Sequence, residues 1–231
     1  MSRTIRIVMV SPRYKGNLGF VCRVMANFGF SDLWLVGPRA DRDSREAKER
    51  AVHAHGILSQ ARVVETLTEA LVGIDVAIGT TARSNPGFAR RRAALDPAEL
   101  LSLLPSEGSV ALVLGPEERG LSNEELEGMD LLVTIPCSGS YPSMNLSHAA
   151  SILLYELSRP GLSRPFERCC PDTSRLLRET LLSLSEMITP RDPEAISQAL
   201  KTWVARSTLS ESEARTVLAF LRQLAQRNRD R

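Results

Sequence analysis

The sequence predicts an α/β domain built on a mainly parallel sheet, followed by a small all-helical extension. Three observations carry that expectation. Five short aliphatic runs alternate with helical periods over the first 160 residues, the pattern of parallel strands joined by crossover helices. Pro160, Gly161 and Pro165 then break the pattern. Beyond them the apolar residues recur only at helical spacing.

Taken in order, Ile5 to Val10 (IRIVMV) is the first strand, dense in β-branched side chains. Asn17 to Phe28 has helical spacing, with Leu18, Val21, Cys22 and Met25 on one side and Gly29 as its stop. Asp32 to Val36 is the second strand, and the charged stretch Asp41 to Arg50 an exposed helix. A helix near Leu67 to Val72 leads to a strand over Ile74 to Thr80. Ser109 to Leu114 is the fourth strand, and Ser122 with Glu125 forms a capping box that starts a short helix. Leu131 to Ile135 is the last strand, and Asn145 to Leu157 a strongly apolar helix. The boundary near residue 160 divides the chain into a domain over 1–160 and an extension over 161–231. In the extension Leu176, Leu177, Thr180, Leu181, Leu184 and Met187 mark one helix. Ile196, Leu200, Trp203 and Val204 mark a second, and Ser210 with Glu213 caps a third that runs through Leu224.

Composition excludes several classes. With 231 residues, 43% hydrophobic and 24% charged, the chain is neither a disordered tail, a collagen-like rod nor a disulfide-stapled miniprotein. No apolar run approaches the ~18 residues of a membrane-spanning helix. Ile5 to Val10 is too short for the core of a secretion signal, so the expected compartment is the cytoplasm, with no membrane partner. Cys22, Cys137, Cys169 and Cys170 include no CxxC pair. His53 and His55 would face different sides of a helix, so no metal is expected. Residues 1–160 hold 17 Lys and Arg against 18 Asp and Glu, whereas 161–231 hold 12 against 9, a mild basic bias in the extension. Of the 29 cations only three are lysine, and arginine's planar fork suits phosphate, although base composition or heat adaptation gives the same bias.

The common nucleotide fingerprints are missing. The first strand is followed by Gly16-Asn17-Leu18-Gly19 instead of GxGxxG, and neither a P-loop nor a G-x-S-x-G elbow occurs. Glycine and polar residues gather instead at carboxyl ends of strands, where open α/β sheets bind ligands. The clusters are Asn17-x-Gly19-x-x-x-Arg23, Gly79-Thr80-Thr81-Ala82-Arg83, Leu114-Gly115-Pro116-Glu117-Glu118-Arg119-Gly120-Leu121, and Ile135-Pro136-Cys137 leading to Tyr141-Pro142-Ser143-Met144-Asn145-Leu146-Ser147. Taken singly, each admits a structural explanation: Asn17 as a helix cap, Glu117 as a loop acid, Ser143 and Asn145 as caps of the apolar helix. Arg23 sits among small and apolar helix residues and needs a partner if buried.

Together and in this order, N-x-G-x-x-x-R, G-x-E-x-x-G-L and S-M-N-L-S resemble the three motifs of the SpoU-type RNA ribose 2′-O-methyltransferases of the SPOUT class. The resemblance covers roughly residues 4–159, with every core motif position filled. Asp32 to Val36, Gly79 to Arg83 and Leu121 to Glu125 resemble the branch that methylates the ribose of nucleotide 32 in the tRNA anticodon loop. The resemblance implies a trefoil knot in the carboxyl-terminal part of the sheet, against the general rarity of knots. It also implies a homodimer, with tRNA as substrate and S-adenosyl-L-methionine as methyl donor. By match, Thr80, Thr81, Ala82, Leu114, Gly115, Ile135, Pro142, Ser143 and Met144 hold the cofactor, mainly through backbone groups. Arg23, Asn17, Glu117, Ser143 and Asn145 are the implied catalytic set.

Arginine is a poor general base at neutral pH. Arg23 is therefore expected to clamp a phosphate and orient the hydroxyl, with a phosphate oxygen or water taking the proton. Asn17 would position Arg23 or the ribose, and Glu117 would fix its loop or hold Arg23. Arg90-Arg91-Arg92 and the arginines of the extension are expected RNA contacts, or else solvated charge. The rival readings are methylation of another tRNA or rRNA position, a non-catalytic RNA-binding factor on the same fold, and an unrelated small-molecule enzyme.

Overall fold

Side chains alternate across a strand, and here both sets are apolar, so the sheet must be covered twice. The computed structural model describes residues 3–82, 94–137, 144–159, 168–187 and 192–229. Six strands form one sheet: β1 (Thr4–Val10), β2 (Asp32–Val36), β3 (Arg62–Val64), β4 (Val76–Thr80), β5 (Ser109–Leu114) and β6 (Leu131–Val133). Their order is β3-β2-β1-β5-β4-β6, and every pairing is parallel. Ile7, Met9, Leu35, Ile78 and Leu112 face one core; Val8, Val10, Trp34, Ala111 and Val113 face the other.

The first core is closed by α1 (Lys15–Asn27), α2 (Arg45–Ala51), α3 (His55–Gln60), α5 (Pro97–Leu103) and α7 (Leu146–Ser158). The second is closed by α4 (Leu67–Ala70) and α6 (Asn123–Glu127). Helix α1 lies unusually close to α2. A Cβ on Gly19 would stand 2.3 Å from the Ala47 carbonyl oxygen and 2.7 Å from the Ala51 nitrogen. That motif glycine serves helix packing, not the crevice. Cys22 is fully buried beside it, and burial pushes its thiol up to about 12, so it stays protonated.

Three further helices follow: α8 (Pro171–Glu186), α9 (Pro193–Arg206) and α10 (Glu211–Arg229). They share a small core of Leu177, Val204, Leu218 and Leu221. Polar clips hold them to the amino ends of the sheet. Arg178 pairs with Asp130 at 2.8 Å, just before β6, and Asp130 also accepts from the Ala77 N–H of β4 at 2.9 Å. Arg175 lies 3.6 Å from Asp75, which accepts from the Ser109 N–H at the start of β5. Arg168 donates to the Leu103 and Ser102 carbonyls at the end of α5.

Three of these elements were not anticipated, and the first of them, α3, has no side-chain cap and fully buries only Leu58. Strand β3 is three residues, one of them charged, at an edge, and too short for a periodicity signal. Helix α5 carries Pro97 at its start and an Asp96–Glu99 capping box, a signature the chain displays openly. Boundaries moved elsewhere: β4 begins two residues later than expected and β6 ends two residues earlier. The expected Asp41 to Arg50 helix is α2, starting at Arg45 behind the Ser44 cap. Among the described residues, no helix is long and apolar enough to cross a membrane, and no cluster of His, Cys, Asp or Glu is arranged to hold a metal.

Gly19→Ala is expected to lower unfolding free energy by about 1–3 kcal/mol through overpacking against α2, read in urea melts. A second expectation concerns acid. Glu211 accepts from Arg215, the Thr173 hydroxyl and the Cys170 N–H, which hold its carboxyl down at about 2 against an ordinary 4.5. A depressed carboxyl stabilises the fold above its unfolded value, and that contribution fades as pH falls from about 4.5 through 2. Acid titration followed by α8–α10 amide shifts should reveal this loss, and Glu211→Gln should remove it.

Candidate active site

Strands β1 and β5 are neighbours, yet their following loops leave in opposite directions. The loop after β1 runs to α1 on one face, and the loop after β5 runs to α6 on the other. A crevice opens where such connections diverge. Here it encloses about 590 Å³, and its walls include Tyr14, Asn17, Glu117, Cys137, Asn145 and His148.

Glu117 joins the two loops. Helix α1 starts at Lys15 behind Tyr14, which offers no side-chain cap, and no acid lies in the first turn. The missing acceptor comes from about a hundred residues away in sequence. Glu117 accepts from the Arg13 N–H at 3.1 Å and the Tyr14 N–H at 3.2 Å. A carboxylate at a helix N-terminus satisfies orphan donors and opposes the positive end of the helix dipole. Glu117 also accepts from the Asn17 side-chain N–H at 3.1 Å. Asn17 is 7% exposed and thus a buried amide that must be satisfied. Its oxygen accepts from Asn145 at 3.4 Å. Asn145 in turn caps α7, accepting from the Ser147 N–H at 2.9 Å and the Ser147 hydroxyl at 2.8 Å. One hydrogen-bonded chain thus links Glu117, Asn17, Asn145 and Ser147. Asn17 is not the cap of α1 but its third residue.

A second group of expected residues lies at the carboxyl ends of β5, β4 and β6, three adjacent strands. Thr80 donates its hydroxyl to the Val113 carbonyl at 3.0 Å, and the Thr81 N–H reaches the Val133 carbonyl at 3.0 Å. Ala82 is exposed, Leu114 buried, and Ile135 packs half-buried against the first core. Gly115 admits no side chain: a Cβ there would meet the Leu121 nitrogen at 2.3 Å. Its absence lets the loop carrying Glu117 close tightly on the end of β5. Met144 is half-buried and lines the crevice.

Arg23 is placed differently from the sequence expectation. It is exposed, not embedded among its apolar neighbours. Standing six residues beyond Asn17, it is ~9 Å along α1 and turned roughly 120° away. It does not line the crevice of its own chain. Pro142 and Ser143 lie outside the described residues, as do Tyr141, Arg83 and Arg90 to Arg92. Sequence reasoning passed over Tyr14, whose N–H completes the Glu117 latch, and His148. The signal for His148 was its spacing: three residues after the Asn145 cap, it sits in the first turn of α7.

Removing the latch should loosen the start of α1. Glu117→Ala is expected to cost about 1.5–3 kcal/mol, the scale of hydrogen bonds to a charged group. Amide exchange at Arg13 and Tyr14 should accelerate at the same time; unchanged exchange there would mean that another group holds the turn.

Comparison with known proteins bears on this crevice. Residues 4–155 match the SpoU rRNA methylase family. The chain is 35% identical to the tRNA (cytidine-2′-O-)-methyltransferase TrmJ of Methanocaldococcus jannaschii, over 93% of this chain and 97% of that protein. It is 32% identical to the tRNA (cytidine/uridine-2′-O-)-methyltransferase TrmJ of Klebsiella pneumoniae, over 99% of each. A solved probable methylase family protein from Haemophilus influenzae superposes with a TM-score of 0.67 at 25% identity, covering 98% of both chains. The matched span opens at β1 and closes inside α7, so it contains the whole sheet and the described walls of the crevice: this chain belongs to the SpoU rRNA methylase family.

Proposed function

We propose that this protein methylates the ribose 2′-hydroxyl of tRNA nucleotide 32, with cytidine or uridine as the base and S-adenosyl-L-methionine as donor, in the cytoplasm. One observation carries the reading: Glu117, Asn17 and Asn145, from three distant segments, form a single hydrogen-bonded wall of one crevice. The names and near-complete coverage of the two tRNA 2′-O-methyltransferases above support the substrate.

The described residues fit the donor. Thr80 to Ala82, Leu114 and Gly115, and Ile135 bring small or apolar side chains to three neighbouring strand ends, so that loop backbone stands close to whatever enters there. Pro142, Ser143 and Met144 would complete the cradle on the α7 side. When bound, S-adenosylmethionine supplies an activated methyl on a sulfonium that leaves as a neutral thioether. The protein's part is chiefly placement, since holding reacting atoms in line contributes ~7–11 kcal/mol. Asn145 and Ser143 orient the acceptor ribose, Asn17 holds Asn145, and Glu117 holds the turn beneath them.

The crevice of one chain lacks Arg23, and we infer that a second copy supplies it. Ile152 and Tyr155 form an exposed apolar strip on α7, 36% and 52% exposed, and the Tyr155 ring meets Phe28 at the end of α1 edge-on at 5.9 Å. Such a strip on adjacent helices suits a homodimer contact. A guanidinium arriving from the partner would clamp the phosphate next to the acceptor ribose. Strand β6 beside β4, with α7 returning to pack on α1, supports the trefoil knot. We infer that residues 161–231 form an extension that contacts tRNA or supports the dimer. Its basic balance supports the first role. Its seat at the amino ends of the sheet, a strand length or ~17–23 Å from the crevice, means that it would meet a remote part of a long substrate.

Labelled methyl transfer to unmodified tRNA, followed by nucleoside mapping, tests the proposal. The label should appear on the ribose of nucleotide 32, and label on a base would overturn it. Arg23→Ala should lower the rate ~10²–10³-fold, the scale of losing one transition-state charge contact, whereas Arg23→Lys should keep measurable rate.

A further inference from the structure

Methyl transfer to a hydroxyl releases a proton, and the residues assigned above leave it without an acceptor. A guanidinium has no lone pair to offer. Glu117 is committed to the Arg13 and Tyr14 N–H groups and to Asn17. Glu118 is engaged by Arg13 at 2.5 Å and by the Tyr14 hydroxyl at 3.5 Å. Asn17 and Asn145 are amides. A cysteine thiol, as at Cys137, must itself lose a proton before it can accept one.

His148 differs from all of these. It lines the crevice from the first turn of α7, three residues from Asn145. It is exposed, and no described side chain or backbone group bonds to its ring. Imidazole can take up a proton near neutral pH and pass it to water. The titratable groups that share the crevice with it are Tyr14, Glu117, Glu118 and Cys137. Of the helices packed on α7, α1 carries Lys15 and Arg23 and α5 carries Glu99, none of which lines the crevice. We propose that His148 is the general base of the reaction, a role that rests on the 2′-O-methylation reading above. As the 2′-oxygen forms its bond to the methyl carbon, its proton moves to a ring nitrogen of His148. The carbon–sulfur bonding pair leaves with sulfur, and the imidazolium then returns its proton to solvent. Charge balances: the sulfonium's positive charge ends on the ring.

Single-turnover rates across pH 5 to 9, with tRNA and S-adenosylhomocysteine binding measured in parallel, test this. His148→Ala should lose ~10²-fold or more in rate and flatten the pH profile. Both ligands should bind as before, and added imidazole should restore part of the rate. An independent arm follows the ¹⁵N-labelled ring of His148 in the wild-type dimer. Its nitrogen shifts should differ between tRNA carrying the acceptor 2′-hydroxyl and tRNA that is 2′-deoxy at that position. A rate within about threefold of wild type, an unchanged pH profile, or identical shifts with both tRNAs would overturn the assignment. If His148→Ala does not fold, His148→Gln and the labelled ring decide. Wild-type protein that leaves the ribose unmethylated sinks the functional reading instead, so the two failures are told apart.

Discussion

The crevice depends on one carboxylate. Glu117 caps a helix that begins about a hundred residues earlier, and in doing so ties a loop from one face of the sheet to a helix on the other. Adjacent parallel strands whose connections diverge would otherwise leave a gap with orphan N–H groups on its rim. Filling that gap with a charged acceptor satisfies the start of α1 and fixes Asn17 in the wall. Asn17 then presents its oxygen to Asn145, and Asn145 caps α7. Two helix-terminal problems are thus solved by one polar chain. A partly buried polar chain of this kind is rigid only when every member is paired.

Small residues do the complementary work. Gly19 brings α1 against α2, and Gly115 lets the Glu117 loop fold back on β5. Both set where the polar chain can form. The opposite end of the sheet has another task. Asp75 and Asp130 each bond backbone at a strand start while holding an arginine of α8. The helical extension is therefore joined to the same strands whose far ends carry the proposed cofactor cradle, although it stands away from the crevice.

Much of this was legible in the residues. The parallel sheet followed from aliphatic runs such as Ile5 to Val10 and Ser109 to Leu114, which need cover on both faces. The helices of the extension followed from periods such as Leu177, Leu181 and Leu184. Edge strand β3 was not legible, because three residues with an arginine carry no periodic signal. The start of α1 was misjudged for a physical reason: its cap is Glu117, and local sequence rules look only for caps nearby. Motif order brought Asn17, Glu117 and Asn145 together correctly, but it could not say which way Arg23 points. Spacing of six residues on a helix turns it off the Asn17 face, a fact of geometry available before any coordinates. Gly19 looked like a ligand-binding glycine because it neighbours Asn17; only the position of α2 reveals its packing role.

The central claim is that the wall built by Glu117, Asn17 and Asn145 is completed by a guanidinium from the second copy. Subunit mixing tests it most directly. Arg23→Ala and Asn145→Ala proteins, each inactive alone, are unfolded gently, combined in equal amounts and reassembled. A shared site predicts recovery of about a quarter of wild-type activity, since half of randomly paired dimers are mixed and each holds one intact site. Activity that stays at the level of the separate variants would place Arg23 and Asn145 in the same chain's site and contradict the account.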